Sequence, residues 1–328
     1  MQRLFLFFLL LTCFSCSTDF TLEAPWEDIP IVYGFLSLQD TAHYIRIEKA
    51  FQEPGGDARE LAQIADSLYY EETLEVSLEK VISGRTFALT RVDGNQEGYA
   101  RVEGPFATQP NYLYKINATD INLLAGEVIR LNINRGNNLP IVTAETQMLD
   151  DIFIRESNPP SPVNMAYDRN INFVFNVGEA AQIFDVRLLI YIHEQGNGRE
   201  ETKMLEWILT DDLRSVSEEG RVSVGILGEE FYRFIGSSLE QENGIQRRLE
   251  GFDVAIAAGG QEMVDLLTIS EANLGLTSAQ VIPRYTNLSE GAGLFSSRSK
   301  AVRKDLTITG VSQDSLRDGI YTRSLNFR

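Results

Sequence analysis

The sequence predicts a mostly β protein built as two immunoglobulin- or fibronectin-like sandwich domains, the second carrying an amphipathic helix. Three observations lead there. Short apolar or alternating runs recur between turn residues over roughly 120 residues, the spacing of a sandwich. The proline-rich segment Ser157-Asn158-Pro159-Pro160-Ser161-Pro162 then interrupts the pattern, and strand-like runs resume beyond it. Residues 228–248 show a helical period instead.

The first domain is expected over residues 28–156. Residues 29–36 and 43–49 read as strands, the latter mixing Tyr44, Ile45 and Ile47 with Arg46 and Glu48. Residues 73–82 alternate more cleanly, with Leu74, Val76 and Leu78 on one side. Gly84 allows a turn into 85–92, and Asp93-Gly94-Asn95 is a hairpin-type signal. Residues 111–117, 127–134 and 139–146 complete the series, while 57–64 suit a short helix or an ordered loop. Pro110-Asn111-Tyr112-Leu113-Tyr114 matches the entrance to strand F of such domains, where a tyrosine hydroxyl reaches back to the backbone.

Residues 157–163 read as an interdomain linker, because three prolines stiffen the chain and remove donors. The second domain, 164–328, offers strands at 171–177, 183–193, 199–209, 222–226 and 252–258, with further ones near 293–298, 306–310 and 321–327. Gln195-Gly196-Asn197-Gly198 predicts a hairpin turn. In 228–248, Phe231, Phe234, Ile235 and Leu239 recur at three- and four-residue steps, so a helix packed on a sheet is expected.

Residues 1–15 have the parts of a secretory signal: Arg3, an apolar run from Leu4 to Leu11, and small Ser15 before a cysteine. The run is shorter than the twenty or so residues that cross a bilayer. Cys16 is the expected lipidation site and mature first residue, with 16–27 as a tether. Cys13, behind Thr12, is the competing acceptor, and an ordinary secretory signal cleaved nearby is the other reading. Both place the chain outside the cytoplasm.

Cys13 and Cys16 are the only cysteines, so a chain acylated at Cys16 and shorn of Cys13 has no thiol for disulfides, metals or nucleophilic catalysis. The net charge of −18 argues against nucleic acid and anionic lipid as partners. Arg298, Lys300, Arg303 and Lys304 nonetheless cluster, most simply as a cationic strand edge or loop.

Candidate chemistry is sparse. His43 and His193 both fall in expected strands without zinc-ligand spacing, and no Gly-x-Ser-x-Gly elbow presents a serine. Gly291-Ala292-Gly293 lacks the later glycine of a phosphate loop. The doublets Glu71-Glu72, Asp150-Asp151, Glu200-Glu201, Asp211-Asp212, Glu218-Glu219 and Glu229-Glu230 read as solvated surface, since neighbours on a strand point apart and cannot flank one glycosidic bond. Glu229-Glu230 also suit a first helical turn. Asp93-Gly94-Asn95-Gln96-Glu97-Gly98 opens like a calcium loop, but Gly104 stands where the bidentate acid belongs. Asp40-Thr41-Ala42, Asp66-Ser67-Leu68 and Asp314-Ser315-Leu316 fit a short bacterial O-glycosylation pattern. No catalytic, cofactor or metal residue is assigned.

Ile31-Val32-Tyr33-Gly34, His43 through Phe51, Ala62 through Tyr70, and Tyr285-Thr286-Asn287-Leu288-Ser289 leading into Gly293-Leu294-Phe295-Ser296-Ser297-Arg298 resemble exported lipoproteins of Bacteroidetes. These are uncharacterised envelope families related to domain of unknown function 4249. The resemblance implies sandwich domains and a place beside an outer-membrane transporter, and it supplies no catalytic residues. The expectation is therefore a lipid-anchored outer-membrane protein that binds or interacts, as an accessory subunit of a transport complex. A carbohydrate-active hydrolase with two distant carboxylates and a passive adhesive spacer are the alternatives.

Overall fold

A computed structural model describes residues 28–50, 58–136, 138–214, 216–217, 219–273 and 284–328. The signal peptide, Cys16 and the tether lie outside the described residues. The first half supplies β1 (Pro30–Leu36), β2 (Ala42–Lys49), α1 (Ala58–Ala62), α2 (Ala65–Leu68), β3 (Glu75–Lys80), β4 (Arg85–Ala88), β5 (Thr90–Asp93), β6 (Tyr112–Asn117), α3 (Ala118–Ile121), β7 (Val128–Asn134) and β8 (Val142–Gln147). The second supplies β9 (Phe153–Ile154), β10 (Asn170–Asn176), β11 (Ile183–Gly196), β12 (Arg199–Leu213), β13 (Arg221–Leu227), α4 (Gly228–Ser238), β14 (Gln246–Gly259), α5 (Gln261–Asn273), β15 (Ala292–Leu306) and α6 (Gly310–Asp318).

The chain is mostly β, and its strand order is that of two immunoglobulin-type sandwiches. In the first, β1-β2-β6-β5 faces β4-β3-β7-β8, which is A-B-E-D over C′-C-F-G. In the second, β9-β10-β13 faces β12-β11-β14-β15, which is A-B-E over C′-C-F-G. Alternation sets the inward faces: β7 buries Ile129, Leu131 and Ile133, and β11 buries Val186, Leu188, Ile190 and Ile192. The turn between β11 and β12 holds Asn197 and Gly198 at positive φ, as a tight hairpin requires.

The two sandwiches share a strand. β15 pairs in parallel with β1 from Ala292 to Ser297, then antiparallel with β14 from Arg298 to Leu306, making one eight-stranded sheet. Phe295 accordingly lies in the first core and Leu306 in the second. Gly293 permits the parallel approach: at φ +120 a Cβ would stand 1.9 Å from the Val32 carbonyl oxygen.

Several expectations change. The cores part between Met148 and Leu149, ahead of the prolines. Residues 157–163 are therefore not a free linker but part of the second sandwich: Val163 is buried, bridges Ile308, and Arg303 donates to the Pro159 carbonyl. The stretch 85–92 is two strands in opposite sheets, parting at Leu89, which donates to the Val76 carbonyl. Tyr112 and Tyr114 sit on strand E rather than F; Tyr114 is buried in the core and Tyr112 lies under the Arg91 guanidinium. The helix expected over 228–248 ends at Ser238, and Arg247 and Arg248 belong to β14. Of the strand expected over 306–310 only Leu306, at the end of β15, and a bridge at Ile308 are extended, and α6 begins at Gly310; 321–327 contribute a 3₁₀ turn at Arg323–Leu325 with Phe327 bridged to Arg247.

Candidate binding surface at the sandwich junction

Where β15 passes from one sandwich to the other, α5 crosses the outer face of the shared sheet. On β1, Val32 and Leu36 point into the first core, so Tyr33 and Phe35 point the other way, toward the helix. Leu294 and Ser296 do the same on β15. The helix is held by few polar contacts. Ser296 donates to Glu262 at 3.0 Å, and Arg214 donates to Thr268 at 3.0 Å and to Glu271 at 3.3 Å.

This leaves clefts on both flanks of α5. One, about 330 Å³, runs between Ile183, Phe184, Ala258, Met263 and Leu267, with Arg298, Lys300, Asp185 and Asp211 among its lining residues. The other, about 380 Å³, is lined by Tyr33, Leu266, Ile269, Tyr285, Ala292 and Leu294. Phe35 and Met263 stand between them and line both. Tyr33 is 54% exposed, and Met263, Leu266, Leu267 and Ile269 are all only half-buried. Burial, followed by the negative charges of Asp265 and Glu262, pushes the Tyr285 phenol up to about 12, so it stays a neutral donor. Apolar walls with a few polar groups at the rim are the usual lining of a ligand or side-chain pocket.

No protein-family model matches this chain, and no curated protein does either. Among solved structures, a crystal structure of the FN1-FN3 domains of chicken CNTN1 aligns over 83% of this chain and spans 65% of its own length, at 9% identity and a TM-score of 0.17. So low a score carries no weight, and the sandwich assignment rests on strand order.

The residues singled out by sequence do not converge. His43 is buried in β2, its Nδ1 without a hydrogen bond, and burial lowers its pKa against the opposing pull of Asp40. His193 lies on β11 beside Glu200 and Glu250. Of the carboxylate doublets, Asp211 lines one of the α5 clefts and Glu71 lines a separate pocket of about 190 Å³ beside Asp28, Tyr70 and Arg135, while Glu218 is outside the described residues. Glu230 caps α4 by accepting from the Leu227 amide at 2.8 Å, and Glu229 accepts from Arg233 and Tyr321. In the calcium-like segment Asp93 accepts from the amides of Asn95 and Asn111, while Glu97 accepts from Tyr44 and Lys115. Thr41 is exposed, whereas Ser67 and Ser315 are half-buried. Gly291 and Gly293 serve the β1–β15 contact, not a phosphate. No helix is expected from sequence at α5, although Met263, Leu266, Leu267 and Ile269 carry a three- and four-residue period. Gly259-Gly260 ended a strand convincingly enough to hide the helix behind it.

Proposed function

We propose that this chain is a lipid-anchored interaction protein of the bacterial outer membrane, held by Cys16 and acting as an accessory subunit of a transport complex. The observation that carries the interaction reading is the pair of apolar clefts flanking α5, with Tyr33 half-exposed on the shared sheet. A neighbouring envelope protein is the partner, and the clefts receive its apolar side chains. The anchor is supported by the leader and by the small residue before Cys16.

Two measurements test this together. Metabolic labelling with palmitate marks the wild-type chain and not Cys16→Ser, while Cys13→Ser keeps the label. Mild cross-linking in native outer membranes then recovers a β-barrel transporter in near-stoichiometric amount, and Leu266→Asp, folded but with a charge in the cleft, loses it. Recovery of the protein alone overturns the complex, unchanged labelling of Cys16→Ser overturns Cys16 as the acceptor, and an unlabelled wild-type chain overturns the anchor.

A further inference from the structure

A second surface lies along β15, meeting the first cleft only at Lys300 and independent of any anchor. Beyond Ser297 this strand has β14 on one side only. On the other side β1 turns away after Leu36, and the Gln39 side chain takes over the ladder. Its Nε2 donates to the Lys300 carbonyl at 2.7 Å, and its Oε1 accepts from the Lys300 amide at 3.1 Å. Because paired and unpaired positions alternate along an antiparallel ladder, the Val302 amide and carbonyl point the same way as those of Lys300, away from β14.

Nothing among the described residues pairs with them. The next contacts on that side are at Thr307, whose amide donates to Ser161 Oγ at 3.3 Å and whose carbonyl accepts from Val163 at 2.7 Å. The chain passing this gap is Pro159-Pro160-Ser161-Pro162, whose prolines have no amide to offer. Between edge and prolines lies an open space of about 660 Å³. Its apolar lining is Ile152, Ile154, Ala301 and Val302, the last 48% exposed.

The charge at this edge runs against that of the molecule. Arg303 Nη1 donates only to the carbonyls of Arg155 and Pro159, at 3.3 and 2.7 Å, and Lys300 and Lys304 have no carboxylate partner among the described residues. Arg298 is satisfied by Asp40 at 3.3 Å, and Glu156 is the one acid lining the space. In a chain of net charge −18 this is a local cationic strip.

We propose that the free edge of β15 from Lys300 to Lys304 binds an extended acidic peptide of a partner protein as an added strand. The Val302 amide and carbonyl supply the backbone rung, and the open space receives one face of the peptide. Lys300, Arg303 and Lys304 meet its carboxylates. Strand addition takes affinity from main-chain bonds and selectivity from alternate side chains. Lysines and prolines along an edge also discourage pairing between chains, and that role alone predicts an edge that binds nothing.

The probe is a capped peptide of three Glu-Val repeats, with its Lys-Val counterpart as control, titrated into the full chain while amide exchange is followed. The expected result is a Val302 amide that exchanges freely in the protein alone and about tenfold more slowly with the acidic peptide. Val302→Pro removes only the outward amide and leaves the β14 ladder whole, so it weakens binding at least about tenfold at unchanged melting temperature. Should that variant fail to fold, Lys300→Glu with Lys304→Glu gives the same loss from the surface. A Val302 amide already protected in the free protein, absent acidic-peptide binding at millimolar concentration, or equal binding of both peptides overturns the proposal.

Discussion

Arg247 and Glu194 show at the scale of single residues how an acidic, thiol-poor protein fixes its C-terminus. Both side chains are fully buried and meet at 2.7 Å, and Lys203 and Arg199 also reach Glu194. Burial pushes the Glu194 carboxyl up, but the bonds from Lys203 and Arg247 outweigh it and hold the group below the usual glutamate range. Arg247 also donates to the carbonyls of Leu325 and Glu240, tying the last residues to β14. Arg247→Ala leaves the Oε1 oxygen of Glu194 and the Leu325 and Glu240 carbonyls without their donor, and is expected to cost about 3–5 kcal/mol in urea unfolding. His43 supplies a separate pH effect. Its folded pKa is lowered from 6.5, so the unfolded chain binds the extra proton, and stability falls as pH drops through the ordinary histidine range. His43→Leu is expected to flatten the unfolding free energy between about pH 7.5 and 5.5, leaving any loss at lower pH to the carboxylates. The Arg247–Glu194 pair was not legible in the sequence, since the two are 53 residues apart and meet only through the β11–β14 register.

The elements were more legible than their partners. Alternation located β1, β2, β3, β7, β10 and β11 within a few residues, because one face of each meets a core. What alternation cannot convey is which strand lies beside which. Residues 293–298 read as one short strand of the second domain, yet the element is Ala292–Leu306 and its first part completes the first sandwich. The proline segment failed for a related reason. Proline removes donors wherever it stands, but here carbonyl acceptors and buried Val163 hold the segment in place. Phe295 is the sharpest test of β15 as a shared element, being fully buried in the core of the other sandwich. Phe295→Ala is expected to lower stability by about 3–5 kcal/mol. Exchange should accelerate first at β1 and β2, ahead of β10 and β13; acceleration confined to the second sandwich would contradict the shared strand.

At the scale of the molecule, sharing β15 is expected to make the two sandwiches unfold as one cooperative body. A typical pair of domains meets through a modest polar contact and moves independently. Here the first core includes Leu288 and Phe295, supplied by the chain that follows β14 of the second sandwich, and Arg135 grips Glu290 through both terminal nitrogens at 3.0 and 2.9 Å. Residues 28–148 on their own would lose these side chains and leave β1 with an unpaired edge. That fragment is expected to lack a cooperative thermal transition, and a peptide of residues 284–298 added in trans is expected to restore one. In the full chain, Trp26→Phe leaves Trp207 as the only tryptophan, reporting the second sandwich through its stack on Phe234. Its fluorescence transition should coincide with the loss of total β circular dichroism. Two separated transitions would mean that β15 joins the sandwiches without coupling them, and that the α5 clefts sit on a hinge rather than a rigid platform.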